Sequence, residues 1–315
     1  MKKILCAVLA LAAMTSCSKE YTVDYNKQAI AFGEAFVDNG TRADYSQLNK
    51  PVEAFKVYGT LTGSYDTTVQ VFNGATVTKP DNYYNSENGA YNSSKVWICT
   101  ETQYWVPNAT YNFAAIVDGV AEATTALPEK IKFTVEDGAN NKDLLYATAT
   151  ATVNNDGTPS VSPVAFSFEH LLSKVGFTVT NNIGAGYSIK VTGITVEDVA
   201  EKGIYAKGTG DAWAWTQDGD TTTTLTFGYE GAYETRQILP VNQTLAVTIA
   251  YDIYYGDVAT GTKISAATKS GTVTKDFVKN TVYNITATIT MTNEIEFTVK
   301  EVYGWNTPVV DAPLQ

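Results

Sequence analysis

Apolar residues in this sequence recur at every second position, and almost nowhere at every third or fourth. In residues 145–153 the odd positions are Leu145, Ala147, Ala149, Ala151 and Val153; the even ones include Tyr146, Thr148, Thr150 and Thr152. Leu245, Val247, Ile249, Tyr251 and Ile253 repeat the pattern, as do Ile285, Ala287, Ile289 and Met291. Such alternation turns one face of an extended strand to a core and the other to water. Asn73-Gly74, Asp156-Gly157, Asp218-Gly219 and Gly261 punctuate the runs as turns. Helical spacing is confined to one or two turns, expected at 169–174 and 197–202. The pattern predicts an all-β chain made of sandwiches.

A length of 315 residues suggests two domains. The clearest junction is the polar run Asn154-Asn155-Asp156-Gly157-Thr158-Pro159-Ser160. It divides the body into an expected N-terminal sandwich, 43–158, and a C-terminal one, 159–315. A net charge of -11 argues against a nucleic-acid partner, which needs clustered basic surface. With one His and three Cys, little is left for a zinc site or for His-based catalysis. No metal, cofactor or catalytic group is assigned, and the chain is not read as an enzyme. His170, beside apolar residues, is expected to be packed or hydrogen-bonded.

Lys2 and Lys3 precede an apolar run, 4–14, that is too short to span a bilayer. Met14-Thr15-Ser16-Cys17 follows and resembles the bacterial lipobox. Residues 1–16 are therefore expected to be a lipoprotein signal peptide, with Cys17 carrying the lipid. Cys6 leaves with the signal, so Cys99 has no disulfide partner.

Residues 17–42 form a leader. Within it Ile30, Phe32 and Phe36 share one strand face with Glu34, while Ala29, Ala31, Gly33, Ala35 and Val37 make the other face small. Large knobs on one side suit a groove in an existing sheet. The polar segment after it contains Arg42, one of only two arginines; the other is Arg236. Cleavage between Arg42 and Ala43 by an arginine-specific protease is expected. Near the other terminus Ile295, Phe297 and Val299 alternate with polar residues in a run that reaches Trp305, a candidate donor strand or the closing strand of its own sandwich. Trp213 and Trp215, two apart, fall on one strand face. They are either ordinary packing or an aromatic platform for a glycan.

Several segments in order resemble the fimbrillins of Bacteroidales, the subunits of the type V pilus. These are the lipobox, the leader strand ending at Thr41-Arg42-Ala43, Phe55-Lys56-Val57-Tyr58-Gly59, the run from Phe166 to Val175, Lys279-Asn280-Thr281-Val282-Tyr283, and Trp305 near the end. Asn280 stands where a glycine is common. The resemblance implies two tandem transthyretin-like (Ig-like) β-sandwich domains and no enzymatic activity. It implies export as an outer-membrane lipoprotein and removal of the leader by an arginine-specific protease. Strand exchange with other pilus subunits would follow, and a host or bacterial surface glycan or protein would be the adhesion partner.

Overall fold

The structure is a computed structural model that describes residues 28–37, 52–63, 67–85, 90–92, 95–122, 127–228, 234–291 and 295–303. In chain order the strands are β1 (Phe32–Val37), β2 (Ala54–Thr62), β3 (Thr68–Thr78), β4 (Tyr84–Asn85), β5 (Ala90–Tyr91), β6 (Ile98–Cys99), β7 (Thr110–Val117), β8 (Val120–Ala121), β9 (Lys130–Thr134) and β10 (Leu145–Thr152). They continue as β11 (Val164–His170), β12 (Ser173–Asn182), β13 (Tyr187–Ala200), β14 (Lys202–Lys207), β15 (Trp213–Gln217) and β16 (Thr222–Phe227). The last are β17 (Thr235–Ile238), β18 (Asn242–Tyr255), β19 (Thr262–Asp276), β20 (Thr281–Thr290) and β21 (Ile295–Tyr303). No α-helix occurs among the described residues. Alternation held where it was clearest: Leu145, Ala147, Ala151 and Val153 are buried, and so are Leu245, Val247, Ile249 and Tyr251. Met291 departs from it, lying just past the end of β20 and exposed.

Both expected helical turns are strand instead. Residues 169–174 contain the end of β11, a two-residue step at Leu171-Leu172 and the start of β12. Residues 197–202 join β13 to β14, and a bulge between Val196 and Val199, with Asp198 at φ 60°, breaks the period of two there. The bulge moves apolar side chains onto a spacing that imitates a helix.

Seven strands form one sheet in the order β1-β11-β10-β7-β2-β3-β6. β10 and β11 pair only at Leu145↔His170 and Tyr146↔Glu169, then diverge, so the sheet wraps around an aromatic core. Residues 154–160, expected as the domain junction, form a turn whose flanks Val153 and Pro159 make a β-bridge. Val164, Phe166 and Phe168 beyond it belong to the first core.

Two four-stranded sheets, β17-β12-β20-β21 and β16-β13-β18-β19, face each other across a second core. Phe177 on one meets Phe227 on the other edge-on, with centroids 5.1 Å apart. The fourth sheet, β15-β14-β9-β8, takes strands from both halves of the chain, with β9 pairing β14 from Lys130↔Ala206 to Thr134↔Lys202. Ile131 and Phe133 on β9 and Tyr205 on β14 pack into the second core. The two sandwich cores are thus joined by a shared sheet.

Candidate strand-exchange groove

The groove is described from the strand that fills it. β1 pairs in parallel with β11: Phe32↔Val164, Gly33↔Ala165, Ala35↔Phe166, Phe36↔Ser167 and Val37↔Phe168. Its other edge is also hydrogen-bonded. Ile30 N donates to Gln103 O at 2.8 Å, Trp97 N to Phe32 O at 3.2 Å, Trp105 N to Gln28 O at 3.1 Å, and Val52 N to Ala35 O at 3.1 Å. The leader strand is therefore inserted between β11 and the 97–105 segment, and its removal would open two rows of backbone donors and acceptors.

Phe32 is fully buried at the centre of this core. Its ring lies 5.4 Å from Phe72, 5.9 Å from Phe113, 6.0 Å from Phe166 and 6.4 Å from Phe55, measured between centroids. Ile30 is buried beside it. Phe36, expected on the same face, is only partly buried, and Ala35 takes the inward position. The cause is a bulge: the register slips between Gly33 and Ala35, and Glu34, at φ 32°, is left without a partner on β11. An extra residue in one strand reverses the facing of every residue after it.

Trp97 and Trp105 line the leader with their backbone N–H groups, while their indole rings are buried. Trp97 packs against Phe55 and Tyr83; Trp105 packs edge-on to Tyr111, 4.8 Å away. Neither indole Nε1 has a hydrogen-bond acceptor among the described residues. Sequence reasoning singled out the strand of Ile30 and Phe32 but missed this wall beside it. Trp97, Cys99 and Trp105 turn inward while Val96, Ile98, Tyr104 and Val106 are exposed, a facing that these continuous apolar runs do not reveal in the sequence.

Trp213 and Trp215 do share a strand, β15, in the sheet common to both halves. Trp213 stacks on Tyr205 at 5.0 Å and meets Tyr146 at 5.5 Å. Trp215 Nε1 donates to Leu171 O at 2.8 Å. Burial, with the charges of Tyr205 and Glu169 nearby, pushes the Tyr146 hydroxyl up to about 12. These side chains hold β15 against the step between β11 and β12.

β21 carries Ile295, Phe297 and Val299 on the edge of its sheet, paired antiparallel with β20 from Ile289↔Ile295 to Thr281↔Tyr303. All three are partly buried against the second core. His170 is buried with Nδ1 against Asp143 Oδ2. Cys99 is a free, half-buried thiol, pushed up by burial. Among the described residues no cluster of three metal-ligating side chains occurs. Cys17, Arg42, Ala43 and Trp305 lie outside the described residues.

A solved fimbrial protein from Bacteroides vulgatus superposes with a TM-score of 0.57 at 18% identity, covering 88% of this chain and 99% of its own. A proposed cell adhesion protein from Bacteroides uniformis gives 0.49 at 20% identity, covering 87% and 97%. No curated protein sequence matches the chain. A sequence model described as fimbrillin-like matches residues 41–305. The chain belongs to the fimbrillin-like family.

Proposed function

We propose that this chain is a structural subunit of a surface pilus, assembled by strand exchange. Cys17 carries the lipid that holds the precursor at the outer membrane. An arginine-specific protease cuts between Arg42 and Ala43, the leader strand leaves, and a strand from the 295–305 run of a neighbouring subunit takes its place. The observation that supports this reading is Phe32: a fully buried core side chain carried on a strand bonded along both edges, located N-terminal to the proposed cut. Losing that strand leaves an apolar slot and unpaired backbone groups in water, which favours capture of another strand. Head-to-tail exchange between identical chains does not close on itself and so builds a filament.

The two units are divided, in this proposal, at Leu171-Leu172, because β11 is paired and packed with the first core. Adhesion to a host or bacterial surface glycan or protein is proposed for the assembled fibre. Glycan capture by Trp213 and Trp215 is the weaker alternative, since the Trp215 donor is satisfied internally and Trp213 is stacked. Treating the purified precursor with an arginine-specific protease and imaging it by electron microscopy tests the proposal. Filaments should form from the parent chain and be absent for Arg42→Ala. Equal assembly by both would reject the mechanism.

A further inference from the structure

The leader fits its groove imperfectly, and the misfit is local. Glu34 has no partner on β11, and its φ of 32° lies in a region that a side chain with a β-carbon disfavours. Glu34 is exposed, its carboxylate turned to solvent by the bulge. Beyond the bulge Ala35 takes the buried position and Phe36 stays half-buried against the core. On the facing wall the Trp97 and Trp105 indole N–H groups are buried without acceptors among the described residues.

The preceding position is tightly constrained. A β-carbon added to Gly33 would lie 2.8 Å from Pro163 Cγ. A strand on this path therefore needs glycine next to its central aromatic knob. The groove has one strict requirement, at Gly33, and the leader carries one costly irregularity, at Glu34.

Building on the strand-exchange reading, we propose that the leader is a bulged placeholder. The strand that replaces it, from a second copy of this chain, has glycine opposite Pro163 and runs on without an extra residue. The leader holds the groove shut in the precursor, yet it is a weaker occupant than a regular strand on the same path.

The test uses the full precursor cut after Arg42, with its leader still seated. Synthetic peptides are added, and leader release is followed by mass spectrometry. The peptides are residues 28–37 with the natural sequence, with Glu34 deleted, with Glu34→Gly, and with Gly33→Val. Deletion keeps Ala35 opposite Phe166 while removing the unpaired residue. It should displace the leader at a concentration at least about fivefold below that of the natural peptide, with Glu34→Gly between them. Gly33→Val should fail, which ties displacement to this groove. In the intact chain, deleting Glu34 should slow leader release after cleavage by a similar factor. Equal or weaker competition by the deleted peptide overturns the placeholder proposal alone. If no peptide displaces the leader, strand exchange at this groove is itself rejected.

Discussion

Phe32 stacks on Phe166 with centroids 6.0 Å apart and planes 25° apart, so the leader strand contributes an inner ring to a core built by residues far later in the chain. In the uncut chain Phe32→Ala should cost about 3–5 kcal/mol of stability, as for other buried aromatic truncations. Phe36→Ala, at a half-buried position, should cost only about 1–2 kcal/mol. Urea unfolding of the two variants measures this, and equal losses would place the bulge elsewhere.

The second arginine is sheltered. Arg236 lies in β17, with Nη2 donating to Glu234 at 2.8 Å, Nε 3.4 Å from Asp137, and its guanidinium over the Phe227 ring at 5.4 Å. An extended, exposed backbone is what a protease needs. Limited digestion of the native precursor with an arginine-specific protease should therefore yield one cut, after Arg42. A fragment ending at Arg236 under native conditions would contradict the shielding.

Asp137 links acid stability to this same corner. Burial raises its carboxyl, but hydrogen bonds from Thr226, Gly138 and Arg236 outweigh that and hold it below its ordinary value of 3.8. A carboxyl depressed on folding adds stability that is fully present above 3.8 and is lost as pH falls through the folded value. Asp137→Asn should flatten that acid limb while retaining an oxygen acceptor for Thr226. Chemical denaturation between pH 3 and pH 6 measures it, and parallel slopes in the two proteins would assign the limb to other groups.

Asn280 adopts φ 56° and donates its N–H to Leu172 O at 2.8 Å, turning the chain into β20. Asparagine tolerates this left-handed conformation better than other side chains. Asn280→Gly should leave stability within about 0.5 kcal/mol, whereas Asn280→Ala should lower it by about 1 kcal/mol. Thermal unfolding distinguishes them, and an indifferent alanine variant would refute the backbone explanation.

The sequence made the strands legible because alternation reports burial one strand at a time. It marked Ile30 and Phe32 as one face of a strand, and both are buried, because large residues alternating with small ones suit a packed strand. It misplaced Phe36 because a bulge is set by what lies across the pair, here β11 and Pro163, and leaves no mark in the strand's own residues. It placed a junction at the most polar run, 154–160, and Val164, Phe166 and Phe168 beyond that run pack into the first core. The shared sheet joining β9 to β14 was invisible for the same reason, since pairing between distant strands is a tertiary fact.

The parallel pairing of Phe32 with Val164 sets an order on folding. β1, synthesised early, has nothing to pair with until β11 and the 97–105 wall have followed it. What is made first is therefore fitted last, and closing so long a loop is the slow step of a β topology. During that interval the groove exists without β1 in every newly made chain. Because β1 and the groove belong to one chain, the strand is present at high effective concentration until the groove is shut.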